Sequence, residues 1–347
     1  MNDGSERAAP TLSDVARHAG VSLATADRVV NRRAGVRAAT IERVEAAIRD
    51  LRFERHAGAA ALARRAGFRA VALLPRGTNP FIARLAEELS EAARIEGLRR
   101  LDLSVETVDG FDAARLAEAI RRAGAEAEGL IAIGLDDPGV ALAIDELAAR
   151  GVPLVTLVSD VPGAARARYV GIDNRAAGRV AASLVGRFAP PGEGRVLVLI
   201  GSRDLRDHRD RLEGFRETLA GGFAHLRPLG IVEGQDDAGQ SFAAVRQALA
   251  AAPEPPVAVY SAGAGVAGLA AALHEAGLRP VVVAHELTDE TRPLLESQAL
   301  DALIVQDPGH EARSAVRVLM AALAGTALSE DQERIRIEII LKDNLPK

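Results

Sequence analysis

The sequence predicts an α/β protein with a small all-α module at its N-terminus, followed by a two-lobed body of parallel sheets. Three short stretches before residue 56 carry apolar residues at helical spacing. From residue 68 onward, short apolar runs alternate with amphipathic stretches, a pattern typical of parallel sheets covered by helices. The charge divides in the same way. Residues 1–66 hold 12 Arg against 8 acidic residues, a balance of +4, which leaves −9 for the rest of a chain whose total is −5.

Composition narrows the class of protein. The length of 347 residues fits about two or three domains. The absence of cysteine excludes disulfides, thiolate metal sites and a cysteine nucleophile. No apolar run reaches the ~18 residues that span a membrane, and Met1–Pro10 lacks the apolar core of a signal peptide. We therefore expect a cytoplasmic protein without membrane contact.

The N-terminal module is predicted to contain three helices. Thr11 and Ser22 are the expected N-caps of the first two, Gly20 ends the first, and Thr40 opens the third. Two helices joined by a glycine turn, with a third behind them, are typical of a helix-turn-helix domain, whose second helix enters the major groove. A small three-helix bundle that docks on the body and binds nothing has the same periodicity. In the DNA-binding interpretation, the second helix exposes Leu23, Ala24, Asp27 and Arg28.

The residues of this module resemble those of a known family. Residues 11–31 read TLSDVARHAGVSLATADRVVN and closely resemble the DNA-binding headpiece of the lactose/galactose repressor (LacI/GalR) family, a match that continues without a gap to Phe53. On the second helix, Arg28 can donate to phosphate or guanine, and Asp27 can accept from cytosine. Helix geometry and resemblance together give the candidate DNA contacts as Thr11, Ser22, Leu23, Ala24, Thr25, Asp27, Arg28, Asn31, Arg37 and Leu62.

The linker after the headpiece departs from the family pattern. In the family, this segment folds into a hinge helix on operator DNA and inserts a leucine into the minor groove, and Leu62 stands at that position here. Arg55 and His56 replace the usual Pro-Asn, and Gly58 weakens helix propensity by ~1 kcal/mol. We expect a loose hinge, or one that becomes ordered only on DNA.

The body is predicted to alternate strands and helices. Amphipathic helices are expected at Asn79–Gly97, Asp112–Gly124 and Asn174–Phe188, with a strand-like segment at Arg334–Leu341. The remaining candidate strands are Ala70–Leu74, Leu101–Glu106, Gly129–Ile133, Leu154–Val158, Arg195–Ile200, Val257–Ser261, Pro280–Ala284 and Ala302–Val305. Ligands of such sheets bind at the carboxyl ends of the strands, so the residues just past each strand are the candidate binding groups.

Four motifs of the body also resemble the LacI/GalR regulators. They are Asn79-Pro-Phe81, Val170–Gly178, Arg211-Leu-Glu-Gly-Phe215 and Gln306-Asp307. The resemblance implies the bilobed fold of type I periplasmic sugar-binding proteins, built from two Rossmann-like subdomains. The implied domains are a disordered tail at 1–10, a headpiece at 11–55, a hinge at 56–67, a first subdomain at 68–172 plus 308–328, and a second at 173–307 plus 329–347.

The residues past the strands suit a polyol. Vicinal hydroxyls donate and accept at once, so carboxylates, amides and guanidinium groups bind them, while aromatic faces cover their C–H surfaces. The candidate effector-binding residues are Asn79, Phe81, Asp136, Arg211, Ser261, Glu286 and Gln306. Gly263 and Ala264 replace the Asn-Asp that the family usually has near the strand ending at Ser261, and there Ser261 or backbone groups are the expected substitutes.

A glycine motif supports a competing interpretation. Gly263, Gly265 and Gly268 fit G-x-G-x-x-G after an apparent strand, and Glu286 follows 18 positions after Gly268. Such spacing is found in NAD(P)-binding oxidoreductases, and it would also fit a regulator that senses nicotinamide redox state. A solute-binding protein is a further alternative that fits the body but not the headpiece.

Taken together, the sequence predicts a transcriptional regulator of the repressor type, associated with the bacterial nucleoid. Two headpieces of a homodimer would bind a pseudo-palindromic DNA operator, and a small effector, a sugar or sugar derivative, would bind between the two lobes. No catalytic residue and no cofactor is predicted. The seven His residues show no paired spacing for a metal site. Two of them, His208 and His285, are candidates to line the cleft as hydrogen-bonding groups, with a surface or packed histidine as the alternative.

Overall fold

The computed structural model describes residues 12–30, 35–51, 67–96, 100–326, 328–329 and 332–346. They belong to two compact units, residues 1–64 and residues 65–347. Three predicted DNA contacts, Thr11, Asn31 and Leu62, lie outside the described residues, as do the predicted tail, nearly all of the predicted hinge and the side chain of Asp27. No helix in the described part of the chain is long and apolar enough to cross a membrane.

The N-terminal unit is helical around a small apolar core. Within residues 12–30 and 35–51, its helices are α1 (Leu12–Ala19), α2 (Leu23–Val30) and α3 (Ala38–Leu51). Gly20 ends α1 in the left-handed region at φ +62°, which glycine adopts without strain. The third helix begins at Ala38 and not at the predicted Thr40, because the Thr40 amide already donates to Arg37 O at 2.9 Å. The buried core residues are Val15, Ala19, Val29, Val44 and Ala47.

The larger unit begins with a sheet of parallel strands in the order β2-β1-β3-β4-β5. These strands are β1 (Phe68–Arg76), β2 (Leu101–Asp109), β3 (Gly129–Ala132), β4 (Leu154–Leu157) and β5 (Arg168–Val170). The helices between them are α4 (Pro80–Glu96), α5 (Ala113–Glu126) and α6 (Pro138–Ala149). The central strands β3 and β4 are buried along their whole length, since helices cover both faces of the sheet.

A second sheet follows in the order β11-β10-β9-β8-β6-β7, with β11 antiparallel to β10. Its strands are β6 (Gly194–Ile200), β7 (Leu226–Glu233), β8 (Ala258–Ser261), β9 (Val281–His285), β10 (Ala302–Val305) and β11 (Glu338–Ile340). Its helices are α7 (Asn174–Phe188), α8 (Arg206–Gly222), α9 (Ala238–Ala251), α10 (Val266–Glu275) and α11 (Thr291–Glu296). A final long helix, α12 (Pro308–Ala324), returns to pack on α4.

We call β1–β5 with α4–α6 and α12 the first lobe, and β6–β11 with α7–α11 the second lobe. The predicted α/β class with two parallel sheets is confirmed. All eight listed strands form, but β5 and β7 were missed, and the predicted strand at 334–341 shortens to β11. Strand β7 contains Pro228 and Gly230, residues that weaken strand pairing. It tolerates them because it is an edge strand, and its register shifts where it passes Val196 and Leu197.

Candidate functional site

A cleft lies between the two lobes, where the carboxyl ends of both sheets face each other. It holds about 1120 Å³ of empty space, part of it open to solvent. Residues at or just past the ends of β1, β2, β3 and β4 line it from the first lobe, and residues past β7, β8, β9 and β10 line it from the second. This is the place where parallel sheets of this kind bind ligands.

Arg211 reaches the cleft because two helices of the second lobe touch through their backbones. At the crossing of α7 and α8, a Cβ on Gly178 would lie 1.9 Å from Arg211 O, and a Cβ on Gly214 would lie 2.0 Å from Arg175 O. Only glycine permits so close an approach. Asn174 lies one turn before Gly178, so its Oδ1 accepts from Arg211 Nε at 2.8 Å.

The Arg211 guanidinium is buried yet only partly paired. The side chain is 3% exposed, and its Nη1 donates to Ala262 O at 2.9 Å. Its Nη2 has no hydrogen-bond partner within the protein. Burial lowers the pKa of Arg211, but the nearby charges of Asp207 and Glu286 outweigh that effect and raise it, so the group is a fixed cation. An unpaired donor on a buried cation is a strong binding group for an oxygen ligand.

Glu286 and Gln306 form a second polar group at the base of the cleft. Glu286 follows β9 directly and adopts a left-handed backbone at φ +65°, which is strained for this residue type. Its carboxylate accepts from Gln306 Nε2 at 3.0 Å and from the Gln306 amide at 3.3 Å. Burial raises the pKa of Glu286 to about 7, although the charge of Arg211 works in the opposite direction. Gln306 Oε1 is buried and unpaired.

Two residues that precede Arg211 on α8 also line the cleft. His208 was a candidate from the sequence, whereas Asp207 was not. Asp207 and His208 lie four and three positions before Arg211, so they share its helix face. Asp207 is buried with an unpaired Oδ1. His208 Nδ1 accepts from the Gly201 amide at 3.2 Å, which places its proton on Nε2, 3.7 Å from Asp207 Oδ2. The helical spacing before Arg211 was the signal that could have found Asp207.

His285 is the second histidine of the cleft. Its Nε2 is 2.9 Å from the hydroxyl of Tyr260, and its Nδ1 is buried without a partner. Burial lowers its pKa well below the usual value, with Arg211 adding to the effect, so the imidazole is neutral. A neutral imidazole with one free nitrogen offers a ligand a further hydrogen bond.

Five of the seven predicted effector residues line the cleft: Asn79, Phe81, Arg211, Glu286 and Gln306. The Oδ1 of Asn79 accepts from the Phe81 amide at 3.0 Å, so the Asn-Pro-Phe motif also caps the start of α4. Phe81 is 6% exposed and belongs to a hydrophobic cluster that includes residues of both lobes.

Asp136 and Ser261 do not line the cleft, contrary to the sequence prediction. Asp136 accepts from Arg209 Nη2 at 2.5 Å and from Arg206 Nη1 at 3.3 Å, so its carboxylate joins the first lobe to α8 of the second. Ser261 is fully buried and donates to Gly263 O at 3.2 Å. In both cases the polar side chain that we expected to bind a ligand forms its hydrogen bonds within the protein.

The glycine motif at 263–268 serves helix packing. A Cβ on Gly268 would lie 1.8 Å from Ala238 O, so this glycine lets α9 and α10 touch. Gly265 is the N-cap of α10 at φ +81°. The amide of Ala264, which a phosphate would need, donates to Asp236 Oδ1 at 2.9 Å. A carboxylate of the protein therefore occupies the place of the phosphate that the dinucleotide interpretation requires.

The N-terminal unit presents several of the predicted DNA-facing residues on its surface. Leu23 is 51% exposed, and Ala24, Arg28 and Arg37 are exposed. Ser22 caps α2, since its Oγ accepts from the Thr25 amide at 3.1 Å. An exposed apolar side chain beside an exposed arginine at the start of α2 suits the base edges and phosphates of a major groove.

Comparison with known proteins agrees with the division into a helical N-terminal unit and a two-lobed larger unit. Residues 11–56 match the family model described as bacterial regulatory proteins, lacI family, and residues 71–327 match the model of a periplasmic binding protein domain. The structure is similar to GanP, a glucose-galactose binding protein from Geobacillus stearothermophilus, with a TM-score of 0.73 and 22% identity over 81% of this chain and 99% of that one. A helix-turn-helix headpiece followed by a periplasmic-binding-protein domain defines a class of DNA-binding transcriptional regulators.

Within that class, the chain belongs to the lacI family of bacterial regulatory proteins. It is 31% identical to the HTH-type transcriptional regulator CelR of Thermobifida fusca over 76% of each chain. It is 33% identical to an uncharacterized HTH-type transcriptional regulator in the aml 5' region of Streptomyces limosus, over 63% of this chain and 60% of that one. The chain thus spans about three fifths of the length of several curated relatives that it matches.

Proposed function

We propose that the protein is a DNA-binding transcriptional repressor whose operator affinity is set by a carbohydrate bound in the cleft. One observation carries the proposal: a chain with an exposed recognition helix at residues 23–30 also contains a cleft in which the buried Arg211 keeps an unpaired donor. Hydroxyl groups of a sugar can satisfy that donor and the unpaired Asp207 oxygen together. The fold that the body shares with a glucose-galactose binding protein supports a sugar as the ligand.

The two activities are linked by the equilibrium between open and closed lobes. An effector that binds the closed form more tightly shifts the population toward it, and the shift cannot exceed this difference in affinity. Polar contacts that join the lobes across the cleft include Asp136 with Arg206 and Arg209, and Thr78 Oγ1 with Asp237 Oδ2 at 3.1 Å. In a homodimer, a change in lobe closure would alter the spacing of two headpieces on a pseudo-palindromic operator.

The dinucleotide alternative receives less support from the site. Asp236 already accepts from the Ala264 amide at the start of α10, and a pyrophosphate placed there would meet this carboxylate. Two negative charges this close repel, and the Ala264 amide, which precedes the N-cap Gly265, already donates to a carboxylate of the protein. A carbohydrate carries no charge and avoids this conflict.

A pair of variants tests the proposed function. DNA sites selected from a random library with the full-length protein give the operator, and binding is then measured at fixed salt with and without candidate sugars. We expect Arg28→Ala to weaken operator binding by about tenfold or more, with the Arg49→Ala change on the last turn of α3 as the control. We expect Arg211→Ala to bind DNA normally and to lose the sugar response. Full response in Arg211→Ala, or unchanged DNA affinity in Arg28→Ala, contradicts the proposal.

A further inference from the structure

The loop that follows β7 turns sharply at the edge of the cleft. Gln235 and Asp236 both adopt the left-handed backbone, at φ +49° and φ +53°, a conformation that costs free energy for residues with a side chain. The Gln235 amide fixes the turn, since it donates to Gly201 O at 3.0 Å. Such strain persists only where the surrounding structure enforces it, and its result here is that Asp236 lines the cleft.

Two glycines of neighbouring strands make room for the Asp236 carboxylate. A Cβ on Gly201, just past β6, would lie 2.4 Å from Asp236 Oδ1, and a Cβ on Gly263, just past β8, would lie 2.5 Å from the same atom. A side chain at either position would therefore collide with the carboxylate. Without one, Asp236 reaches from the edge strand β7 across the end of β6 to β8, where its Oδ1 accepts from the Ala264 amide at 2.9 Å.

The same arrangement brings Asp236 beside His208 of α8. A Cβ on Gly263 would lie 3.0 Å from His208 Nε2 as well as 2.5 Å from Asp236 Oδ1, so these two atoms are at most about 5.5 Å apart. A hydroxyl oxygen that bonds two groups at about 2.8 Å each spans up to about 5.6 Å. One hydroxyl group can therefore bond the carboxylate and the imidazole at the same time.

Both side chains keep a free atom for such a hydroxyl group. Asp236 Oδ1 bonds the Ala264 amide, while Asp236 Oδ2 has no hydrogen-bond partner among the described residues. His208 Nδ1 accepts from the Gly201 amide, so the proton is on Nε2, and the carboxylate of Asp207 at 3.7 Å is too far away to accept it. A hydroxyl group that donates to Asp236 and accepts from His208 satisfies both, whereas a C–H group in its place satisfies neither.

We propose that Asp236 is a specificity-determining residue of the cleft, and that its carboxylate and His208 Nε2 together bind one hydroxyl group of the sugar. The inference rests on the proposed function, because it concerns how the same cleft selects its ligand. A sugar that lacks this hydroxyl group leaves a carboxylate oxygen and an N–H without partners, and sites built in this way discriminate strongly against such analogues.

Calorimetric titration of the full-length protein tests the assignment as a cycle of two changes, one in the protein and one in the ligand. D-glucose, D-galactose, D-allose, D-xylose, D-arabinose, maltose and cellobiose are titrated first, and the tightest binder is compared with its monodeoxy derivatives. We expect Asp236→Asn to bind the parent sugar about tenfold or more weakly than the wild type. We also expect one derivative that the wild type binds about tenfold or more weakly to bind Asp236→Asn as well as the parent sugar does.

Asparagine is a conservative replacement at this position. It keeps the size of the side chain, accepts the left-handed backbone and retains an oxygen for the Ala264 amide, but it loses the second acceptor oxygen and the charge. Asp301→Asn is the matched control. Asp301 also belongs to the second lobe and accepts from a backbone amide, that of Val282 at 2.7 Å, but it lies outside the cleft. We expect this control to bind every sugar as the wild type does.

Gly263→Ala tests the same contact from the opposite side. Its methyl group would lie 2.5 Å from Asp236 Oδ1 and 2.9 Å from His208 Cε1, so it displaces one of the two groups. We expect the same loss of affinity and the same hydroxyl preference as in Asp236→Asn, which decides the question should Gly263→Ala lose its fold. Gly222→Ala is the control for this change, since a Cβ there meets nothing within 4 Å.

The outcomes separate this inference from the proposed function. If Asp236→Asn binds the parent sugar as tightly as the wild type, Asp236 serves only to hold the loop at Ala264, and the inference is overturned while the carbohydrate cleft remains. The inference is also overturned if each monodeoxy derivative loses the same affinity on both proteins, because Asp236 then contacts no particular hydroxyl group. A wild type that binds none of these sugars contradicts the carbohydrate effector and this inference together, while the DNA affinity of the headpiece is measured separately.

Discussion

Gly178→Ala tests whether backbone contact between α7 and α8 holds Arg211 in place. An alanine Cβ at this position would lie 1.9 Å from Arg211 O, and ordinary van der Waals contact begins at 3.4 Å. The helices must therefore move apart by about 1.5 Å. Asn174 Oδ1 lies 2.8 Å from Arg211 Nε, and the same displacement takes this pair beyond hydrogen-bond distance.

The loss of stability that we expect for Gly178→Ala follows from these contacts. Forcing an extra methyl group into a packed site costs about 1–3 kcal/mol. Losing a hydrogen bond to a buried charged group costs about 1.5–3 kcal/mol more. We therefore expect the variant to lose about 3–5 kcal/mol in the free energy of unfolding of the larger unit, together with its affinity for the effector.

Denaturant unfolding of Gly178→Ala and Gly221→Ala provides the measurement. Gly221 is on the same α8 helix, and a Cβ there meets nothing within 4 Å. Its alanine variant should be neutral, or more stable by up to about 1 kcal/mol, since alanine is the better helix former. If Gly178→Ala unfolds within about 0.5 kcal/mol of the wild type and keeps its ligand affinity, then close helix contact does not position Arg211.

Two further predictions concern charges of the cleft. Asp136→Asn, which weakens the pairing with Arg206 and Arg209 across the lobes, should reduce affinity for the best-binding sugar roughly fivefold, about 1 kcal/mol for side chains this exposed. Glu146→Gln is the control: it breaks the exposed pair with Arg121 within the first lobe and should leave affinity unchanged. Equal affinities for both variants in calorimetry would argue against an inter-lobe role for Asp136. Burial raises the pKa of Glu286 from 4.5 to about 7. Between these pH values Glu286 is protonated in the folded state and ionised in the unfolded state, so the free energy of unfolding falls as pH rises through that window. Glu286→Gln should remove most of this fall, about 1.4 kcal/mol per pH unit, and an unchanged slope in denaturant titrations from pH 4.5 to 8 contradicts the assignment.

Apolar periodicity located most of the fold because it records which segments are buried. It found the fully buried strands β3 and β8, which read as continuous apolar runs. It missed β7, where Pro228 and Gly230 interrupt the run. These residues are compatible only with an edge strand, and whether a strand lies at the edge depends on which distant segments pair with it.

The same distinction between local and distant information separates the predicted residues that line the cleft from those that do not. Asp207 and His208 share a helix face with Arg211, so the local spacing contained their position. Asp136 follows a strand end as predicted, but the arginines that take its carboxylate lie 70 and 73 residues further along the chain. Leu205, which precedes α8, likewise joins a hydrophobic cluster whose other members belong to the first lobe. Because no local pattern shows which group of one lobe meets the other, the shape and charge of the cleft, and hence the class of its ligand, follow only from the folded arrangement.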